Sequence, residues 1–139
     1  MSHIPPELPK AVVAVIEHDG RFLLVRRAKT ARNPGWWCLP GGAIEPEEVE
    51  ESAVCREVRE ELGINVIPLK RIWTTTSADG GWCTYWWKSS TKDTHVSPAS
   101  REISEVRWCT RREATSLDPI FHTDRRFFEE ILPRVNGLS

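Results

Sequence analysis

Several features that would place this chain in a broad class at once are missing. No apolar stretch approaches the ~18 residues needed to span a bilayer; the longest, residues 11–16 and 22–25, are strand-length. Met1, Ser2, His3 and Ile4 show no basic stretch leading into an apolar segment, so no secretory leader is expected and the expected compartment is the cytoplasm. Neither sign of charge is in excess, since 19 Lys plus Arg face 20 Asp plus Glu for a formal net charge of -1. That balance disfavours a nucleic acid polymer or an anionic membrane held by bulk electrostatics, whereas one small phosphorylated ligand needs only local positive charge. The four cysteines, at 38, 55, 83 and 109, form no CxxC pair and have no histidines at zinc spacing. Their strand-like and helix-like neighbours mark them as reduced, buried thiols. Internal repeats and low-complexity segments are absent. His95 and His122 have no serine or cysteine partner, so covalent nucleophilic catalysis is not indicated.

What is present suits one domain spanning residues 1–139, with 40% apolar residues to build one core. Residues 1–9, with Pro5, Pro6 and Pro9, are an extended arm. Residues 10–17 (KAVVAVIE) are almost continuously apolar, the pattern of a central strand covered on both faces. His18-Asp19-Gly20 is a turn into a second strand at residues 21–27, followed by a polar loop ending in Asn-Pro-Gly. A short strand at residues 36–39 stops at Pro40-Gly41-Gly42. The pattern then becomes helical over residues 47–62, with Val54, Val58 and Leu62 at i, i+4 spacing and Gly63 as a left-handed cap. Strands are expected at 64–75 (bent near Pro68), 82–88 and 103–108, and short helices at 111–117 and 123–132. Short strands with segregated helices predict an α+β domain, layered as α/β/α.

Chemistry concentrates in the first helix. Eight of the seventeen residues from Glu45 to Glu61 are glutamate. Glu45, Glu47, Glu50 and Glu51 read as a solvated acidic face. Glu57 and Glu61 differ, because they share one face a turn apart with Glu60 beside them. Like charges at this spacing destabilise an exposed helix, and its C-terminal end disfavours acidic residues further. Bound divalent cations would reverse that penalty, and a cluster of carboxylates suits Mg²⁺ or Mn²⁺. Just before it, Leu39-Pro40-Gly41-Gly42 brings backbone close to whatever binds there.

Residues 42–64, GAIEPEEVEESAVCREVREELGI, resemble the Nudix box, G-x5-E-x7-R-E-U-x-E-E-x-G-U with U bulky and aliphatic. All nine constrained positions match: Gly42, Glu48, Arg56, Glu57, Val58, Glu60, Glu61, Gly63 and Ile64. The Leu-Leu-x-x-Arg run ending at Arg27 and the Trp-x-Leu-Pro-Gly-Gly run from Trp37 are similar to small MutT-like members. One mild departure is Glu47, where many members carry glycine.

The resemblance implies an α/β/α sandwich around a mixed sheet and hydrolysis of a nucleoside diphosphate linked to another moiety. It also implies one to three Mg²⁺ or Mn²⁺ ions. Carried over, Glu57 and Glu61 are metal ligands, with Glu60 direct or through water and the Gly42 carbonyl as a further ligand. Arg56 orients the glutamates and Glu48 buttresses the loop or Arg56, while Val58, Gly63 and Ile64 are structural. Glu102 is preferred over Glu105 as a carboxylate outside the box that completes the metal shell or acts as general base. The implied substrate is a small nucleotide, and the chain is expected to be a monomer or homodimer. The proline about sixteen residues beyond the box that marks ADP-ribose hydrolases is replaced by Gly80. The tyrosine of dinucleoside polyphosphate hydrolases corresponds to Trp82. A nucleoside triphosphate, cleaved to monophosphate and pyrophosphate, is the first expectation; a nucleoside diphosphate sugar or ADP-ribose-type substrate remains open, as does a module that binds nucleotide without turnover.

Seven tryptophans exceed what so small a core needs, and an exposed indole beside a pyrophosphate site is a stacking surface for a base. Trp36, Trp37, Trp82 and Trp86 are the candidates. Arg27, within the basic group Arg26, Arg27, Lys29 and Arg32, is the candidate phosphate contact.

Overall fold

The two near-continuous apolar runs become adjacent strands at the centre of the sheet, β1 (Lys10–His18) and β2 (Arg21–Arg27). They are joined by a tight turn with Asp19 at φ 51° and Gly20 at φ 75°, the left-handed pair that matches the twist of a hairpin. The computed structural model describes residues 8–77 and 79–135. Most of the expected N-terminal arm therefore lies outside the described residues; of it, exposed Leu8 and Pro9 remain, and the Pro9 carbonyl accepts the Cys83 N–H at 3.0 Å.

Alternation along β1 and β2 sorts their side chains to two cores. Val12, Ala14, Ile16, Leu23 and Val25 join one cluster with Val54, Val58 and Leu62 of α1 (Glu50–Leu62). Val15, Phe22 and Leu24 face the other way, onto Phe127, Phe128 and Leu132. That second layer contains α2 (Arg111–Thr115) and α3 (His122–Arg126), with α3 running on into a π-helical turn (Phe127–Ile131) and a 3₁₀ turn (Leu132–Arg134). Strands buried on both faces explain why these runs are not alternately polar. The remaining strands are β3 (Trp37–Cys38), β4 (Gly41–Ala43), β5 (Ile67–Thr76), β6 (Cys83–Ser90) and β7 (Ile103–Cys109). The order is β3-β2-β1-β6-β5, with β4 on β1 and β7 on β2; β1 and β6 are parallel and the other pairs antiparallel. The architecture is the expected α+β sandwich around a mixed sheet. Among the described residues no helix is long and apolar enough to cross a membrane.

One topological detail creates the cleft. β6 occupies one edge of β1 from Lys10 to Ile16, so β2 and β4 must share the other. β2 pairs with β1 only at Glu17 and His18, whereas β4 pairs at Ala11 to Val13. The chain crosses from β2 to β1 between Cys38 and Gly41, where the Pro40 carbonyl accepts the Ala14 N–H at 2.8 Å. Splaying β1 from β2 leaves a groove beside Gly41 and Gly42.

Some local expectations change. The first helix starts at Glu50 rather than at residue 47, because Glu47 sits at φ 65°, a left-handed conformation that glycine adopts without strain. Gly63 caps the other end at φ 66°, its N–H bonded to the Arg59 carbonyl at 2.9 Å. The strand expected over 36–39 shrinks to Trp37–Cys38, since the Leu39 N–H turns away to the Asp124 carboxylate. The helix expected over 123–132 is α-helical only as far as Arg126. The cysteines are free thiols as expected, but only Cys38 and Cys109 are buried, Cys55 and Cys83 being partly exposed.

Glu50 is also not a solvated residue. Its carboxylate accepts Arg71 Nε at 2.9 Å and Nη2 at 2.6 Å, and the indole N–H of Trp87 at 2.9 Å. It ties the start of α1 to β5 and β6. Glu50→Gln keeps one acceptor but loses the bidentate pair, so it is expected to cost about 1 kcal/mol. Thermal melts should show a drop of ~4 °C, with turnover changed less than about twofold because Glu50 lies outside the carboxylate cluster.

Candidate active site

The 3.6-residue repeat brings Glu57 and Glu61 onto the flank of α1 beside the Val54-Val58-Leu62 stripe, facing β4. Arg56 is the hub of this region, with its side chain 21% exposed. Its Nε and Nη2 clasp Glu48 at 2.7 and 2.9 Å, Nη1 reaches Glu57 at 3.0 Å and Glu60 at 3.3 Å, and Nη2 also donates to the Ala43 carbonyl at 2.9 Å. The guanidinium fork suits this many acceptors, where a lysine would not. Glu48 in turn accepts the Glu45 N–H at 3.0 Å, closing the loop ahead of the helix, and Arg56 holds its carboxyl below the usual carboxylate range.

Glu61 is oriented by a different donor, the Gly41 N–H, at 3.2 Å. Burial first, and then the Glu57 charge, push its carboxyl up to about 8, against the Gly41 N–H and Arg27. Burial also raises Glu57, with Arg56 opposing. Desolvation thus outweighs the mutual repulsion that the spacing emphasised. The glycines belong to this geometry. A Cβ on Gly42 would lie 2.5 Å from the Glu57 carboxylate, and one on Gly41 would lie 2.1 Å from the Val12 carbonyl. Only glycine allows β4 to press against both the carboxylate face and β1.

Two partly buried, adjacent carboxylates with a third beside them offer only oxygen donors, a chemistry that fits Mg²⁺ or Mn²⁺. In the present rotamers Arg56 and the Gly41 N–H take up the negative charge instead. Among the described residues no three Asp, Glu, His or Cys side chains converge closely enough to enclose an ion. Glu60, with a side chain 58% exposed, stands furthest out.

The groove between the splayed strands encloses about 280 Å³ beside Gly41 and Gly42. Arg27, Cys38 and Trp86 line it, Thr75, Thr76, Ser77 and Thr84 of the β5–β6 hairpin form one wall, and Phe121 and Asp124 come from the α3 side. Arg27 also donates through Nε to the Arg32 carbonyl, which anchors the loop before β3.

The tryptophans separate. Trp37 is 4% exposed, with Arg107 over its ring at 4.8 Å; it belongs to the core rather than to an open ring face. Trp86 reaches the groove from the core, stacked on Phe127 at 5.4 Å, its indole N–H donating to Thr75 at 3.0 Å. Trp36 is partly exposed beside Phe121 and His122, in a neighbouring depression. Trp82 is 44% exposed, precedes β6 and does not line the groove. Of the two carboxylates outside the box, Glu105 is taken by Arg107 at 3.0 Å and Arg26 at 3.6 Å. Glu102 is exposed at the loop end, close enough for its charge to add to the rise of Glu61.

Asp124 was not singled out from sequence. An acidic residue in the first turn of an amphipathic helix ordinarily signals the helix dipole. Here it is 5% exposed, accepts the Leu39 N–H at 2.8 Å, and burial pushes its carboxyl up to about 7. The threonine-rich wall was equally silent, since threonines in a strand carry no distinguishing pattern.

Comparison with known proteins agrees with the geometry. The NUDIX domain family matches residues 7–131. A CTP pyrophosphohydrolase of Escherichia coli (strain K12) is 31% identical over 105 residues, covering 76% of this chain and 78% of that protein. A nucleoside triphosphatase NudI of Enterobacter sp. (strain 638) is 31% identical over 123 residues, covering 77% and 85%. Among solved structures, the MutT protein from Methanosarcina mazei Go1 superposes with a TM-score of 0.77 at 28% identity, covering 91% of this chain and 94% of that one.

Proposed function

The chain belongs to the Nudix hydrolase family, and from that premise we propose that it cleaves a nucleoside triphosphate to the monophosphate and pyrophosphate with Mg²⁺ or Mn²⁺. The observation that carries this reading is the partly buried Glu57–Glu61 pair pressed against Gly41 and Gly42 at the side of the groove. Glu57 and Glu61, with Glu60 and the Gly42 carbonyl, hold one to three ions. A divalent cation there supplies positive charge to the pyrophosphate oxygens and lowers the pKa of a water. Arg27 contacts the phosphates, Arg56 holds the glutamates in register, and Glu102 takes the proton from the attacking water as general base. Glu48, Val58, Gly63 and Ile64 keep the loop-helix-loop in shape. Residues 1–139 act as one domain on a small nucleotide in the cytoplasm.

The triphosphate reading is supported by the relatives named as a CTP pyrophosphohydrolase and a nucleoside triphosphatase, and by Gly80 and Trp82 at the positions that mark other substrate classes. A panel of ribo- and deoxyribonucleoside triphosphates, nucleoside diphosphate sugars and ADP-ribose, incubated at about pH 8.5 with Mg²⁺ or Mn²⁺, tests it. Release of pyrophosphate and monophosphate from triphosphates is the expected result. Turnover of the sugar nucleotides alone would replace the substrate class, and binding without turnover across the panel would make this a nucleotide-binding module.

A further inference from the structure

We propose that the protein carries a second anion site, outside the groove beside Gly41 and Gly42, in which Lys70, Lys88 and Arg134 hold a small polyphosphate of the pyrophosphate class.

The sheet and the C-terminal turns bring these three side chains together. Lys70 of β5 and Lys88 of β6 are direct cross-strand partners. Alternation along β6 settles their side: Tyr85 and Trp87 pack on the first core and Trp86 on the second, so Lys88 shares the Trp86 face. Arg134 arrives there from the 3₁₀ turn, which buried Leu132 fixes to the second core. With Leu69, Ile72 and Val135 they line a pocket of about 310 Å³, in the lower range for small-molecule sites. It shares no lining residue with the groove, which lies further along the same two strands. Arg71 also reaches the lining but brings no free charge, since Glu50 clasps its guanidinium.

Stability alone does not account for this arrangement. Like charges directly opposite each other weaken an antiparallel pair, and a third cation adds to the repulsion. Elsewhere Arg21, Arg26, Arg107 and Arg126 each meet a glutamate. Among the described residues no carboxylate lines this pocket, and none forms an ion pair with Lys70, Lys88 or Arg134. An anion seated between the three reverses the sign of the interaction. Two ammonium groups and a guanidinium offer donors only, so the ligand must be rich in both acceptors and negative charge. Linked phosphates supply both in a compact body. A nucleic acid polymer needs a continuous basic track, which a chain of net charge -1 with one local cluster does not provide.

Isothermal titration calorimetry with inorganic pyrophosphate tests the site. The protein is first stripped of metal on a chelating resin and held in about 0.1 M NaCl, where charges more than ~10 Å apart are largely screened. The wild type should bind pyrophosphate, and bind it more weakly as NaCl is raised. Lys70→Glu places opposite charges across the strands. It should weaken binding by about tenfold or more, while the ligand-free melting temperature stays level or rises. Lys88→Gln and Arg134→Gln should each weaken binding by a similar factor. Lys92→Glu makes the same charge change at an exposed lysine outside the pocket, and should leave the affinity within about twofold. No binding by the wild type, affinity that survives Lys70→Glu and Lys88→Gln, or equal weakening by Lys92→Glu would each overturn the proposal. So would tighter binding of a single-stranded oligonucleotide lost in the same variants, because the ligand would then be a polymer. No turnover is read, so the outcome is independent of the triphosphate reading above.

Discussion

Glu61→Gln is expected to lower kcat by about 10³-fold, and Glu57→Gln by a similar factor, without loss of the fold. Glutamine has the shape of glutamate and its carbonyl still accepts the Gly41 N–H, so the contact between α1 and β4 survives. What disappears is one negative charge from a pair whose burial makes sense in the presence of a cation. Removing a partly buried like-charge neighbour also relieves the metal-free protein, so its melting temperature should stay level or rise. Steady-state kinetics and melts on the same preparations check both halves. Folded variants that keep full metal-dependent turnover would remove these residues from the site.

The metal-free protein should lose stability as pH rises, with Glu61 as the main cause. Its carboxyl is raised from 4.5 to about 8 in the folded state. Between those values the folded chain holds a proton that the unfolded chain releases. The stabilisation is complete below about pH 4.5 and lost as pH rises through about 8. At about 1.4 kcal/mol per pH unit the ceiling is a few kcal/mol, so the wild-type melting temperature should fall by ~5–10 °C more than that of Glu61→Gln between about pH 5 and pH 9. Asp124, raised in the same direction, contributes to both proteins and cancels in the comparison. Saturating Mg²⁺ at the upper end should restore the difference, because an ion that binds only the folded state stabilises it. Parallel slopes for the two proteins would show that Glu61 is not burdened by its ionisation.

Much of the fold was legible because burial leaves a local trace. The double-sided cores of β1 and β2 appear as unbroken apolar runs, the α1 stripe as Val54, Val58 and Leu62, and the helix end as Gly63. The Arg56 hub was legible as a motif, since its partners Glu57 and Glu60 lie within four residues and Glu48 eight residues earlier, in the loop ahead of the helix. Long-range partnership leaves no such trace. Glu50 looked solvated until β5 and β6 brought Arg71 and Trp87 to it, and Trp37 looked available for stacking until Arg107 covered it. Asp124 meets Leu39 across 85 residues, and the splay of β1 from β2 that places them on one groove is a property of the sheet. The start of α1 was misplaced for a local reason, the left-handed conformation of Glu47, which a glutamate does not advertise.

The most direct test of the carboxylate face is equilibrium binding of Mn²⁺ without nucleotide, followed by electron paramagnetic resonance, in the wild type, Glu57→Gln, Glu61→Gln and Glu50→Gln. Glu57 and Glu61 sit together against Gly41 and Gly42, whereas Glu50 is taken by Arg71 and Trp87. The expected result is at least one bound ion in the wild type, affinity weakened by about tenfold or more in Glu57→Gln and Glu61→Gln, and binding unchanged in Glu50→Gln. Equal affinity in all four proteins would contradict the assignment.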